Sequence, residues 1–119
     1  MDNASNNTET LEKTIRDLLE RQDDLIRTAF TDELTGLGNR GGFTRSLEEL
    51  WEQELPVTMA FIDIDNLKHC NDIFGHDEGN RYILQVSLYL KLYMKVDEAA
   101  FRLGGDEFAI LSTIATEDD

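Results

Sequence analysis

At 119 residues the chain has room for one domain with a modest core and a short extension. Its 25 acidic against 11 basic side chains give a formal charge of −14, the wrong sign for a surface that binds nucleic acid or an anionic membrane. One cysteine excludes an internal disulfide, and with neither a membrane-length apolar run nor a signal peptide the expected location is the cytoplasm.

Residues 1–7, polar and Asn-rich, read as a disordered tail. Residues 8–31 read as a helix, with Thr8 as N-cap and Glu9 and Glu12 near the positive end of its dipole. Leu11, Ile15, Leu18, Gln22, Leu25 and Ala29 follow steps of four and three, a heptad seam with one polar member. The seam fits a parallel two-stranded coiled coil, hence a homodimer, or else an amphipathic helix packed on its own domain. Gly36 and Gly38 punctuate the next stretch. A second helix is expected from Gly42 to Glu54, with Phe43, Leu47, Leu50 and Trp51 on one side, ended by Pro56. The apolar run 57–63 reads as a strand buried in a covered sheet. A short helix over 65–71, a break at Gly75 and a longer helix over 77–94 follow, the last with Ile83, Val86, Leu90 and Tyr93 on one face. Residues 101–111 form the closing hairpin. Trp51, Phe43, Phe61 and Phe108 are expected in the core, and the alternation of strands with helices makes an α/β layered domain.

The hairpin carries the first chemical signal. Gly104-Gly105 between two apolar segments marks a tight turn with glycine at positive φ, and Asp106 and Glu107 follow at once at its tip. A second pair of acids, Asp63 and Asp65, closes the apolar strand at its carboxyl end, where α/β sheets bind ligands. Magnesium takes one or two carboxylates plus substrate phosphates, so Asp63 with Asp106 suits a phosphate-bound magnesium.

Gly104-Gly105-Asp106-Glu107-Phe108 resembles the signature of the GGDEF family, the diguanylate cyclases. Three further blocks resemble the same family in the same order: Asp32-Glu33-Leu34-Thr35-Gly36-Leu37-Gly38-Asn39-Arg40, then 63–72 from Asp63 to Asp72, then Phe74-Gly75-His76-Asp77-Glu78-Gly79-Asn80. The resemblance implies an α/β fold, a nucleotidyl-cyclase-like sheet flanked by helices, preceded by the coiled-coil-type helix. It spans 32–119, but the family domain continues with more helix and sheet, including a Lys and an Arg that contact substrate phosphates. The expected domain is therefore incomplete at its C-terminus. An upstream sensor, common in the family, is absent from this chain.

The resemblance implies condensation of two GTP molecules to cyclic di-GMP and pyrophosphate, with Mg2+ (or Mn2+) as cofactor. Asp63, the backbone carbonyl of Ile64 and Asp106 would be the metal ligands, and Asp106 the general base. Glu107 would support metal or catalysis, and Lys68 would neutralise the triphosphate; its alternative is an exposed helix lysine. Asn66 and Leu67 would offer backbone N–H groups at a helix start, with Gly104 and Gly105 beside the substrate. Asn71 and position 80 match the guanine contacts. The family aspartate is Asn80 here, and an amide cannot accept from both guanine N1–H and the N2 amino group. The inhibitory product site Arg-x-x-Asp is represented by Lys95 and Glu98, a degraded version without the arginine fork. Arg102 would pair with a phosphate or with a neighbouring acid. The rival to a cyclase is a catalytically degenerate GGDEF domain that binds nucleotide or regulates through dimerisation; a third reading makes the N-terminal helix the functional, protein-binding part.

Overall fold

A computed structural model of the chain describes residues 2–113, with side chains from Ala4 onward. Met1 of the expected tail and residues 114–119 of the expected domain lie outside the described residues. The elements are α1 (Asp2–Phe30), α2 (Arg40–Glu52), β1 (Thr58–Asp63), α3 (Leu67–Phe74), α4 (His76–Tyr93), β2 (Glu98–Arg102) and β3 (Glu107–Ser112).

Helix α1 runs through positions expected as a disordered tail, and Thr8 is inside it rather than its cap. The reason is local. The hydroxyls of Thr8, Thr10 and Thr14 donate to the carbonyls of Ala4, Asn6 and Thr10 at 2.9, 2.8 and 2.9 Å, satisfying themselves within the helix. Leu11, Ile15, Leu18 and Leu25 are exposed, so the seam does not pack on its own domain over this stretch. Among the described residues α1 is anchored at its end: Asn39 donates from its backbone N to Phe30 O at 3.0 Å and from Nδ2 to Ala29 O at 3.0 Å.

Strand β3 is the middle of a three-stranded antiparallel sheet of order β1-β3-β2. The register sets Phe61, Ala109 and Phe101 abreast on one face, where Phe43 of α2 meets the two rings edge-on at 6.0 and 5.5 Å. The opposite face holds Ile62, Phe108 and Ile110, packed with Leu67 of α3, Ile83, Val86 and Leu90 of α4, and Leu37. Phe108 is fully buried at the centre of this cluster.

Four expectations about the core fail, that for Phe61 among them. Strand β1 is an edge strand rather than a covered one, with Met59 and Phe61 exposed, because β3 is its one partner among the described residues. Trp51 is 82% exposed, since the apolar stripe of α2 is wider than the surface it covers. Tyr93 is exposed too, and stacks on Tyr89 at 4.6 Å instead of entering the core.

Between α1 and α2 the chain folds back on the sheet. Gly38 bridges to Thr31 and to Phe101, and its carbonyl accepts from Arg102 N at 2.8 Å. A Cβ at Gly38 would lie 2.4 Å from the Phe101 ring, so this approach requires glycine. Among the described residues no helix is long and apolar enough to cross a membrane.

Candidate active site

The strand register assembles the acids. Asp63, last in β1, faces Glu107, first in β3, so both carboxylates leave the sheet on the face that α2 covers. Asp106 stands just before Glu107, and its carbonyl accepts from Ile64 N at 2.9 Å. Carboxylate oxygens of Asp63, Asp106 and Glu107 all lie within 4.8 Å of one another, and all three residues are exposed. An oxygen-only set of this kind fits a hard divalent cation such as magnesium or manganese. Glu107 thus stands among the possible ligands themselves. The Ile64 side chain belongs to the core, leaving its backbone as the part that can serve the site.

The hairpin differs from its expected form. Neither Gly104 nor Gly105 has positive φ, because the reversal is spread over Leu103–Asp106 and closed by Leu103 N donating to Glu107 O at 2.8 Å. A Cβ built at Gly105 would meet nothing within 4 Å, so the chain's own packing does not demand glycine there. Arg102 braces the turn from behind. Its Nε donates to Gly104 O and its Nη2 to Gly105 O, both at 3.1 Å, while Nη1 lies 3.3 Å from either carboxylate oxygen of Asp32. Of its two sequence readings, the neighbouring acid is what the geometry shows. Burial alone would raise the Asp32 carboxyl pKa, but hydrogen bonds from Thr35 Oγ1 and N, together with the Arg102 charge, outweigh it and hold the group below the usual carboxylate range.

Two helices begin with a cation near these acids in sequence or space. Asn66, at φ 62, caps α3 without a side-chain hydrogen bond, and the first turn holds Lys68 and no acid. Lys68 is exposed and makes no ion pair among the described residues. Helix α2 is capped by Asn39, whose Oδ1 accepts from Gly42 N at 2.9 Å; it starts with Arg40 and also lacks an early acid. Arg40 Nη2 lies 3.8 Å from Glu107 Oε2. The sequence reading gave Arg40 no role. The available signal was its placement, since a cation at a helix N-terminus opposes the dipole.

Asn71 is brought to the α3–α4 contact and Asn80 lies on α4, both apart from the acid cluster in the element order. Asn71 Oδ1 is buried without a hydrogen-bond partner among the described residues, and a Cβ at Gly79 would overlap it at 1.6 Å. Asn80, the next residue, is exposed. Lys95 and Glu98 bond each other locally: Lys95 N donates to Glu98 Oε1 at 2.9 Å, and Glu98 N to Lys95 O at 3.0 Å.

The model of the diguanylate cyclase GGDEF domain matches residues 29–119. The chain belongs to the GGDEF domain family. This GGDEF chain is 38% identical over 105 residues to the diguanylate cyclase DgcP of Escherichia coli, covering 85% of the chain and 31% of DgcP. It is 37% identical over 93 residues to the response regulator PleD of Caulobacter vibrioides, covering 75% of the chain and 20% of PleD. The structure of the coiled coil and GGDEF domain of DgcB from Caulobacter crescentus, in complex with c-di-GMP, superposes with a TM-score of 0.84 at 28% identity. That match covers 99% of this chain and 63% of the DgcB chain. The chain thus spans less than a third of the length of the two relatives matched by sequence.

Proposed function

We propose that this GGDEF chain provides a diguanylate cyclase half-site that joins two GTP molecules into cyclic di-GMP with release of two pyrophosphates. The observation that carries the reading is the convergence of Asp63, Asp106 and Glu107 within 4.8 Å at the open end of the β1–β3 pair. Asp63, the Ile64 carbonyl and Asp106 would hold Mg2+ or Mn2+, with Glu107 adjoining. When bound, the cation supplies positive charge against the charge that develops on the α-phosphate and the leaving pyrophosphate.

The protein's own groups do the rest. Asp106 takes the proton of a ribose 3′-hydroxyl as that oxygen attacks the α-phosphorus of the second nucleotide. The new 3′-O–P bond forms as the bond to the pyrophosphate oxygen breaks, and the step repeats in the other direction to close the ring. Positioning carries most of such a reaction. The N–H groups at the start of α3, near Asn66 and Leu67, and the Lys68 ammonium would receive phosphate oxygens. The open space above Gly105 would admit the nucleotide where a side chain would stand in the way, with Gly104 beside it. Asn71 and Asn80 would meet the base, through hydrogen bonds from their amides.

Each chain offers one set of these groups, so the ring closes between two copies, brought together by the exposed seam of α1. An upstream sensor would act through the same helix, and GTP places the protein in the cytoplasm. The degenerate, nucleotide-binding alternative draws on Asn80 and on Glu98, whose carboxylate is engaged by the Lys95 N–H rather than presented to a product. Incubation with Mg2+ and GTP followed by mass spectrometry separates the two. Cyclic di-GMP is the expected product; bound GTP with no cyclic dinucleotide would overturn the cyclase in favour of the binding module.

A further inference from the structure

Arg40 occupies a position that helix physics disfavours. It is the first residue of α2, where the partial positive charge of the dipole repels a cation, and no acid in the first turn compensates. Its backbone is nonetheless tightly placed. Asn39 is bonded to Phe30 and Ala29 and caps the helix, while a Cβ at Gly42 would come within 2.4 Å of Phe30 O. Such local conflict held in a rigid frame marks a functional rather than a structural choice.

The side chain answers a second problem. Three carboxylates within 4.8 Å repel one another, and the basic groups nearby in the fold are not equally free to respond. Arg102 is spent on Asp32, Gly104 and Gly105, and Lys68 makes no ion pair among the described residues. Among the described residues Arg40 is the cation paired with the cluster, through Glu107, and the pairing is loose: the nearest N–O approach is 3.8 Å, between side chains 68% and 52% exposed. A pair this open is weak and exchangeable.

We infer that Arg40 is a tethered cation of the site. It holds Glu107 while no metal is bound, and gives up that carboxylate for a non-bridging phosphate oxygen when a metal-bound nucleoside triphosphate enters. This rests on the active-site reading above and adds a phosphate-binding residue to it. The guanidinium is suited to the exchange, because its planar donors match phosphate as well as carboxylate and its nearest approach to Glu107 is a long 3.8 Å.

The exchange predicts opposite effects on two ligands. Mn2+ alone, titrated by electron paramagnetic resonance into the 119-residue chain, should bind Arg40→Gln about two- to fivefold more tightly than wild type, because a competitor for Glu107 is gone. The non-cleavable analogue guanosine 5′-(α,β-methylene)triphosphate, titrated with Mn2+ present, should bind the same variant about tenfold more weakly. Arg40→Lys should return Mn2+ affinity to the wild-type value and recover only part of the analogue affinity. Parallel weakening of both ligands in Arg40→Gln, or no change in either, overturns the inference while leaving the active site standing. Wild type that binds neither Mn2+ nor the analogue overturns the active-site reading and this inference with it.

Discussion

Asp32 follows the end of α1 by two residues and holds the guanidinium that braces the signature turn, with both side chains largely buried, at 19% and 16% exposure. Because its folded carboxyl titrates below the unfolded value, its contribution is full above a pH of about 4 and is lost as the pH falls through the folded pKa. Asp32→Asn should therefore cost about 1–2 kcal/mol at pH 7. In urea titrations the gap from wild type should close as the pH is lowered from about 4 towards 2; an equal gap at both ends of that range would contradict the role given to the charge. At Asn80 the issue is selection rather than stability. If Asn80 meets the base as proposed, one guanine donor would face an amide N–H there, whereas adenine, with an acceptor at N1 and a donor at N6, would match an amide. Restoring the carboxylate with Asn80→Asp should shift the GTP-to-ATP affinity ratio about tenfold towards GTP, and an unchanged ratio would sink the assignment of this position to the base.

The β2–β3 hairpin shows what an element reveals in sequence and what it hides. The two apolar segments flanking Gly104-Gly105 made the turn and its two acids legible. The conformation of the glycines was not, because a four-residue reversal needs no positive φ. On the proposed function the value of Gly105 lies in the open space above it, so Gly105→Val should leave the melting temperature within about 2 °C while weakening nucleotide binding by tenfold or more. A large loss of stability with binding retained would show that the turn itself needs glycine. Strand β1 was misread for a related reason. Its apolar run records what the strand could bury, whereas actual burial depends on neighbours, and β3 is its one partner among the described residues. The place of Glu107 beside Asp63 was likewise hidden, because it follows from the β1–β3 register, which joins segments over 40 residues apart in sequence. Arg40 carried its signal openly, as a cation at a helix start, but the acid that explains it becomes visible only once α2 lies across the sheet.

For the whole molecule, the order of elements leads from a long helix to a site. The chain extends 68 Å in its longest dimension, and the exposed seam of α1 ends where Asn39 ties it to the turn before α2. That turn is held from both sides. Lys91 of α4 donates to Thr35 O at 2.5 Å, and Arg102 joins Asp32 to the signature hairpin. A pairing of two helices along the seam would thus bring two hairpins into a fixed relation, as a reaction between two half-sites requires. The helix, the hairpin and two of the acids were readable from periodicity and spacing, but the bracing between them was not, since it depends on partners as distant as Asp32 and Arg102. Pyrophosphate release from GTP with Mg2+, followed against protein concentration for wild type and Asp106→Asn, tests the central claim most directly. The account predicts release from wild type that rises more steeply than in proportion to protein, as two half-sites meet, and none from Asp106→Asn. Release that is equal in the variant, or absent from wild type at every concentration, would contradict it.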